Sequence, residues 1–326
     1  MAEWLYEEGI GENRAILVED GTIVEAAIEI PGPLLVGAVL EGRLAKILVA
    51  GRRALAEISG DLGEAIVEPL PSALSEGARV RMEIVREPIP ERGRPKLAKA
   101  RVTDAPLGAG MTLHERIGSP RIAPALGPDR FEEAGWSELL EEALTGEIAF
   151  DGGALRMSLT PAMTLFDVDG ALPPAELAVA GAAAAARAIR RFGIGGSIGI
   201  DLPTLAKAER QAPAAAVDAI LPQPFERTGV NGFGFLQIVR RRERPSLPEI
   251  VRHGRAAAAA RALLRRAERA PGHGERTLSA APAVIEIFER NPEWIDELER
   301  RIGAAVRLRS EPRLAISGGD VQSAHS

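Results

Sequence analysis

Thr164-Leu165-Phe166-Asp167-Val168-Asp169 and Ser197-Ile198-Gly199-Ile200-Asp201 are two apolar runs, each closed by aspartate. Between them lies an alanine-rich stretch that opens at Pro173-Pro174, runs through Ala182–Ala186 to Arg190-Arg191 and stops at Gly193. Proline at a helix start and glycine past its end mark that stretch as a helix. Strand, helix and strand make a β-α-β unit, whose crossover predicts parallel strands. Neighbouring strands lie about 5 Å apart, so Asp167 and Asp201 are placed to share one divalent cation. Ligands of open α/β sheets bind beyond the carboxyl ends of the strands. The pair is therefore a candidate Mg²⁺ site for phosphodiester chemistry. A plainer alternative is that each aspartate ends a strand and caps the next helix, and Asp201-Leu202-Pro203-Thr204 suits such a cap. Asp167 together with Asp169 fits that alternative less well, because aspartate is depleted in strands.

The 326-residue chain is long enough for one to three domains. It has no cysteine, which excludes disulfides, thiolate zinc sites and cysteine nucleophiles. Its histidines, His114, His253, His273 and His325, form no His-x-x-x-His pair, so a histidine metal site or a Ser-His triad is not expected. The start, Met1-Ala2-Glu3-Trp4-Leu5, lacks the basic and apolar regions of a signal peptide, and no apolar stretch is long enough for a membrane span. A cytoplasmic protein without membrane partners is expected. The formal net charge is −6, but basic residues are concentrated locally. Residues 79–101 carry Arg79, Arg81, Arg86, Arg92, Arg94, Lys96, Lys99 and Arg101 against three Glu; residues 227–276 carry twelve Arg against four Glu. Such runs serve equally as solvated faces or as phosphate contacts.

Residues 12–30 alternate apolar and polar around the Asp20-Gly21 hairpin signal, and Pro31-Gly32-Pro33 marks a boundary. Short strands are predicted at 36–40, 44–49, 53–58, 64–67, 79–85 and 96–102, which suits a small OB-type barrel. Residues 104–130 read as a linker. A helix is predicted over 132–144, then strands at 146–150 and 154–159. After the β-α-β unit come a helix at 204–219, a strand at 232–238, an Arg/Ala-rich helix at 246–269, helices at 282–290 and 294–302, and short strands at 307–310 and 314–317.

In this order the motifs resemble the catalytic half of the ribonuclease E/G family. Gly37-Ala-Val-Leu-Glu-Gly-Arg-Leu-Ala-Lys-Ile47 resembles the opening of the family's S1-like insert, with Glu41 where a lysine is usual. Asp151-Gly-Gly-Ala-Leu-Arg-Met-Ser-Leu-Thr followed by Thr164–Asp169 resembles the hairpin leading to its first catalytic Asp and companion Asn; Asp167 matches the former, and Asp169 stands at the latter. Gly195-Gly196 through Asp201 resembles the strand bearing the second catalytic Asp. Gly234-Phe-Leu-Gln-Ile-Val-Arg-Arg-Arg with Pro245-Ser246-Leu247 resembles a further family segment.

The resemblance implies an α/β, overall α+β, protein. Residues 1–33 and 104–160 would form a split RNase H-like domain, 34–103 an inserted S1-like OB barrel, and 161–326 a DNase I-like catalytic region with C-terminal helices. It also implies a Mg²⁺-dependent endoribonuclease for single-stranded RNA, with Mn²⁺ as substitute. Asp167 and Asp201 would hold the metal, and Asp169 would serve as third ligand or order a metal-bound water. Arg43, Lys46, Lys96, Lys99 and Arg240, Arg241 and Arg242 would contact RNA.

The departures shape further expectations. The short 104–150 segment implies loss of the family's 5′-monophosphate sensor, so 5′-monophosphate and 5′-hydroxyl substrates should be cleaved at rates within about twofold. The missing cysteines imply no zinc link, and any homo-oligomer would pack through the Ala-rich helices after residue 246. Leu55 and Ala65 or Ile66 replace the aromatics of the barrel face, and Gly170 and Gly181 replace polar positions near the site. These changes keep a second class open, a non-catalytic RNA-binding protein on the same fold. A third class is a structural module whose Ala/Arg helices form a partner surface.

Overall fold

The structure, a computed structural model, describes residues 2–93, 95–124 and 127–323. The chain opens with β1 (Glu3–Glu8), β2 (Asn13–Glu19) and β3 (Thr22–Glu29), an antiparallel meander. The second hairpin turns at Asp20-Gly21 as its sequence requires. β1 was not expected, because six residues at the chain start show no long alternation. It finds partners on both sides, and the sheet order is β3-β2-β1-β9.

Next come β4 (Val39–Val49), β5 (Arg53–Ile58), β6 (Glu64–Val67), β7 (Arg79–Arg86) and β8 (Ala98–Val102), closed into a five-stranded barrel in the order β4-β5-β6-β8-β7. Its core holds Leu44, Val67, Met82 and Ile84. The two strands expected between 36 and 49 are one, because bulges at Leu44/Lys46 and Ile47/Val49 bend β4 without ending its pairing with β5.

The segment read as a linker has structure of its own. It holds α1 (Leu113–Arg116), β9 (Arg121–Ile122), parallel to β1, and α2 (Arg130–Glu133). The helix expected over 132–144 is divided at Gly135, whose φ of 93° lies in the left-handed region, and α3 covers Trp136–Thr145.

A six-stranded sheet follows, in the order β10-β11-β12-β13-β15-β14. Its members are β10 (Glu147–Phe150), β11 (Gly153–Leu159), β12 (Thr164–Gly170), β13 (Gly196–Asp201), β14 (Phe225–Arg227) and β15 (Phe235–Arg240). β12 and β13 are parallel and joined by α4 (Pro174–Arg191), as expected. α5 is shorter than expected, Gln211–Ile220, because 202–206 is irregular and 207–210 forms turns. β14 was not anticipated from its three residues, and β15 begins three residues and ends two residues later than expected.

Phe166, Val168, Ile198, Ile200, Leu236 and Ile238 point from one face of this sheet into a core with the alanines of α4. Leu5, Ile16 and Ile23 of the first sheet and Trp136 of α3 enter the same core, so the two sheets form one body. Burying a side chain such as Phe166 contributes about 1.5–3 kcal/mol.

The expected 246–269 helix is two, α6 (Leu247–His253) and α7 (Arg255–Arg269), separated at Gly254. The chain ends in β16 (Arg276–Ala280), α8 (Pro282–Arg290), α9 (Pro292–Ile302), β17 (Val306–Ser310) and β18 (Asp320–Ser323), with sheet order β17-β16-β18. β16 was missed, and residues 314–317 are not a strand; β18, slightly later in the chain, forms an edge of this sheet. α7 packs Ala260, Leu263, Leu264 and Ala267 into this unit's core with Leu278, Val284, Phe288 and Leu298. Of the α7 alanines, Ala260 and Ala267 are buried within the chain, while Ala256–Ala259 and Ala262 are half-buried. Among the described residues no helix is long and apolar enough to cross a membrane.

Candidate metal and nucleic-acid site

Side chains of a strand alternate between faces. With Phe166 and Val168 in the core, Leu165, Asp167 and Asp169 face the other way. The register pairs Asp167 with Asp201 directly across the parallel β12/β13 ladder, and Leu165 with Gly199. Both aspartates are exposed, and neither has a hydrogen-bond or ion-pair partner among the described residues. The capping alternative does not hold. Asp167 lies within its strand, and α5 begins ten residues after Asp201 with Arg210 at its N-cap. Two carboxylates thus stand side by side, a donor set that fits Mg²⁺, which needs one or two carboxylates and keeps its waters.

Asp169 is placed differently. Pairing between β12 and β13 ends at Asp167/Asp201, so Asp169 projects beyond β13. Its Oδ2 lies 3.6 Å from Arg156 Nη1 of β11. Arg156 is the register partner of Asp167 and approaches Glu147 at 3.9 Å. Among the described residues no three His, Asp or Glu side chains converge in a metal-binding arrangement. Sequence reasoning missed Arg156 as a site residue. The tight Asp151-Gly152-Gly153 hairpin and the β11/β12 register bring it beside Asp167.

The changed positions near the pair have a packing cause. A Cβ on Gly181 of α4 would lie 2.3 Å from Val168 Cγ1, so glycine lets the helix settle directly on β12. A Cβ on Gly170 would meet the Gly152 carbonyl oxygen at 2.5 Å.

The candidate RNA contacts do not gather around the carboxylates. Arg240 lies opposite Gly196, five residues before Asp201 in β13, about 17 Å down the strand. It donates to the Ile194 carbonyl at 3.1 Å. Arg242 is ion-paired with Glu249, which also accepts from the Ser246 amide at 2.7 Å in the α6 capping box. Arg241 is largely exposed and pairs with Glu243 at 3.0 Å.

Lys96 sits where the β7–β8 connection of the barrel meets the start of β12. It donates to the Pro161 carbonyl at 3.4 Å and pairs with Glu91. There Glu91, Arg92, Thr164, Ser197, Arg242 and His253 border a cavity of about 80 Å³. His253 and His273 come from separate elements, α6 and the α7–β16 loop; His325 lies outside the described residues, as does Arg94.

On the barrel, Lys46 is the register partner of Leu55, Leu55 of Ile66, and Ile66 of Lys99, so these four form one row across its outer face. Ile66 is the outward position; Ala65 is fully buried. Lys99 is held at 3.0 Å by Glu68, which also binds Arg53. Hydrogen bonds from Lys99 and Arg53 bring the Glu68 carboxyl down to about 2. Arg43 and Lys46 are exposed and have no ion-pair partner among the described residues.

No protein-family model matches this sequence, and comparison with curated proteins gives no significant match.

Proposed function

We propose that this protein is a Mg²⁺-dependent endoribonuclease acting on single-stranded RNA, with a split RNase H-like domain, an S1-like barrel insert and a DNase I-like catalytic sheet similar to the ribonuclease E/G family. The observation that carries the proposal is the register pairing of Asp167 with Asp201, both exposed and unpartnered on the open face of a core sheet.

Asp167 and Asp201 would hold the ion, with Mn²⁺ able to replace Mg²⁺. When bound, the ion supplies an oriented water and stabilises charge on the scissile phosphate. Arg156, next to Asp167, offers a planar donor fork suited to a phosphate oxygen. Asp169 aims that guanidinium rather than standing beside Asp201. Arg43 and Lys46, like Arg79 and Arg81 of the same barrel, are exposed with no acidic partner among the described residues, so they are ready for backbone contact, which confers affinity without sequence choice.

The expected outcome is metal-dependent internal cleavage of an unstructured RNA, abolished in Asp167→Asn and in Asp201→Asn with RNA affinity retained. Cleavage surviving in both variants would remove the proposed metal site.

A second reading, an RNA-binding protein without catalysis, is favoured by one observation: Asp169 is turned to Arg156, leaving two carboxylates instead of three. RNA binding without cleavage at any Mg²⁺ or Mn²⁺ concentration would select it.

A further inference from the structure

Two phenylalanines bracket the carboxylate pair. Phe235 of β15 is the register partner of Asp201 on the side away from Asp167. Its ring reaches back along the open face over Gly199: a Cβ there would lie 2.4 Å from the ring's Cζ and 2.8 Å from Leu165 Cδ2. The ring and Leu165 therefore form an apolar floor one side-chain repeat, about 7 Å, before the two aspartates. Phe233 lies at the other end, where the chain turns just past Asp201. Asn231 Oδ1 accepts from the amides of Phe233 and Phe235 at 2.9 and 3.0 Å, and the Leu202 amide donates to the Gly234 carbonyl at 3.1 Å. This fixed turn presents Phe233 at 86 % exposure, while Phe235 is half-buried.

We propose that Phe235 and Phe233 are stacking platforms for unpaired nucleobases on either side of the phosphate held at Asp167 and Asp201, an inference that rests on the proposed function. The charge of the face selects this occupant. Asp167, Asp169 and Asp201 repel a polyanion except through a bridging cation, Arg156, or Arg210 beside the turn at Gly232, so much of the added affinity must come from the uncharged part of the nucleotide. A π-face supplies it without sequence choice. The barrel face, where Leu55 and Ile66 are aliphatic, offers no ring for this purpose.

The test compares a fluorescein-labelled decauridylate with an abasic ribose-phosphate oligomer of equal length, by anisotropy in Ca²⁺, with oligomer integrity checked on a denaturing gel. Phe235→Leu is expected to weaken binding of the decauridylate about tenfold and Phe233→Ser about fivefold, with the abasic oligomer changed less than about twofold. Phe233 is too exposed for its loss to unfold the protein, so it guards against a folding artefact in Phe235→Leu. Equal losses on both oligomers, or none, overturn the inference while Asp-dependent cleavage leaves the proposed function standing. If neither oligomer binds the unaltered protein, both fall.

Discussion

Like charges placed directly opposite each other in a sheet destabilise it, and opposed side chains contribute about 0.2–1 kcal/mol. Asp167 and Asp201 are such a pair. Removing one carboxylate in Asp167→Asn should raise the metal-free stability by about that amount, read as a higher urea midpoint in chelator. In the unaltered protein Mg²⁺ should raise the melting temperature, and in the variant it should not, because a ligand stabilises only the state that binds it. A variant that is less stable in chelator would mean that the Asp167 carboxylate makes a favourable contact of its own, and the site would lose its basis. Both aspartates were legible in sequence because each interrupts an apolar run. Arg156 was not, because its proximity depends on strand register, and nothing local distinguishes it from any exposed strand arginine.

Helix α4 shows what an element's composition encodes. Its alanines at 182, 184, 185, 186 and 188 are buried in a helix that packs on α5 and on strands of both sheets, where larger side chains would hold the layers apart. In an exposed helix Gly→Ala is stabilising by about 1 kcal/mol. At Gly181 the sign should reverse, since the added methyl would lie 2.3 Å from a β-branched side chain on a core strand. Gly181→Ala is expected to destabilise by about 1–3 kcal/mol, the cost of overpacking. A rise in the urea midpoint would show that α4 is not seated on β12 as described. Other elements were read less well for equally local reasons. Residues 246–269 read as one Arg/Ala-rich helix, yet Gly254 divides it. β14 and β16 are too short for alternation to register and exist because neighbouring strands offer them hydrogen bonds.

Across the whole molecule, a buried ionic network ties the first sheet to α7. Arg14 contacts Glu7 at 2.6 Å and Glu12 at 2.7 Å, Arg261 contacts Glu12, and Arg265 contacts Glu7, Asp129 and Glu132 at 2.8, 2.6 and 3.1 Å. Arg269 contacts Glu7 at 2.6 Å. Four guanidinium groups thus face four carboxylates. Burial alone would raise the Glu7 carboxyl, but Arg14, Arg265 and Arg269 outweigh it and hold it below the usual range. Asp129 is likewise lowered, burial being overcome by Arg265. A carboxyl depressed in the folded state contributes stability above its unfolded pKa, and that contribution is lost as pH falls through the folded value. Stability should therefore decline from the ordinary carboxylate range downward. Arg265→Met leaves Glu7 and Asp129 short of a cation and should cost about 3–5 kcal/mol near neutral pH. It should also flatten the acid dependence, both read from urea midpoints between about pH 7 and pH 3. An unchanged pH profile would show that these carboxylates do not govern acid stability.

The sequence by itself determined the local and periodic features of this chain: the β-α-β unit, the barrel strands, the Asp20-Gly21 and Asp151-Gly152-Gly153 turns, and the two aspartates at strand positions. Each depends on residue types within a few positions of one another. Tertiary structure alone decided which side chains became neighbours. It joined 104–124 to the first sheet through β9, merged two sheets over one core, and matched Arg14, Arg261, Arg265 and Arg269 to their carboxylates. It also sent Arg240 and Arg242 to the far end of the sheet, while bringing Arg156 and Phe235 beside Asp167 and Asp201. Register and layer packing set those distances, because backbone hydrogen bonds between strands remote in sequence determine which residues stand opposite each other.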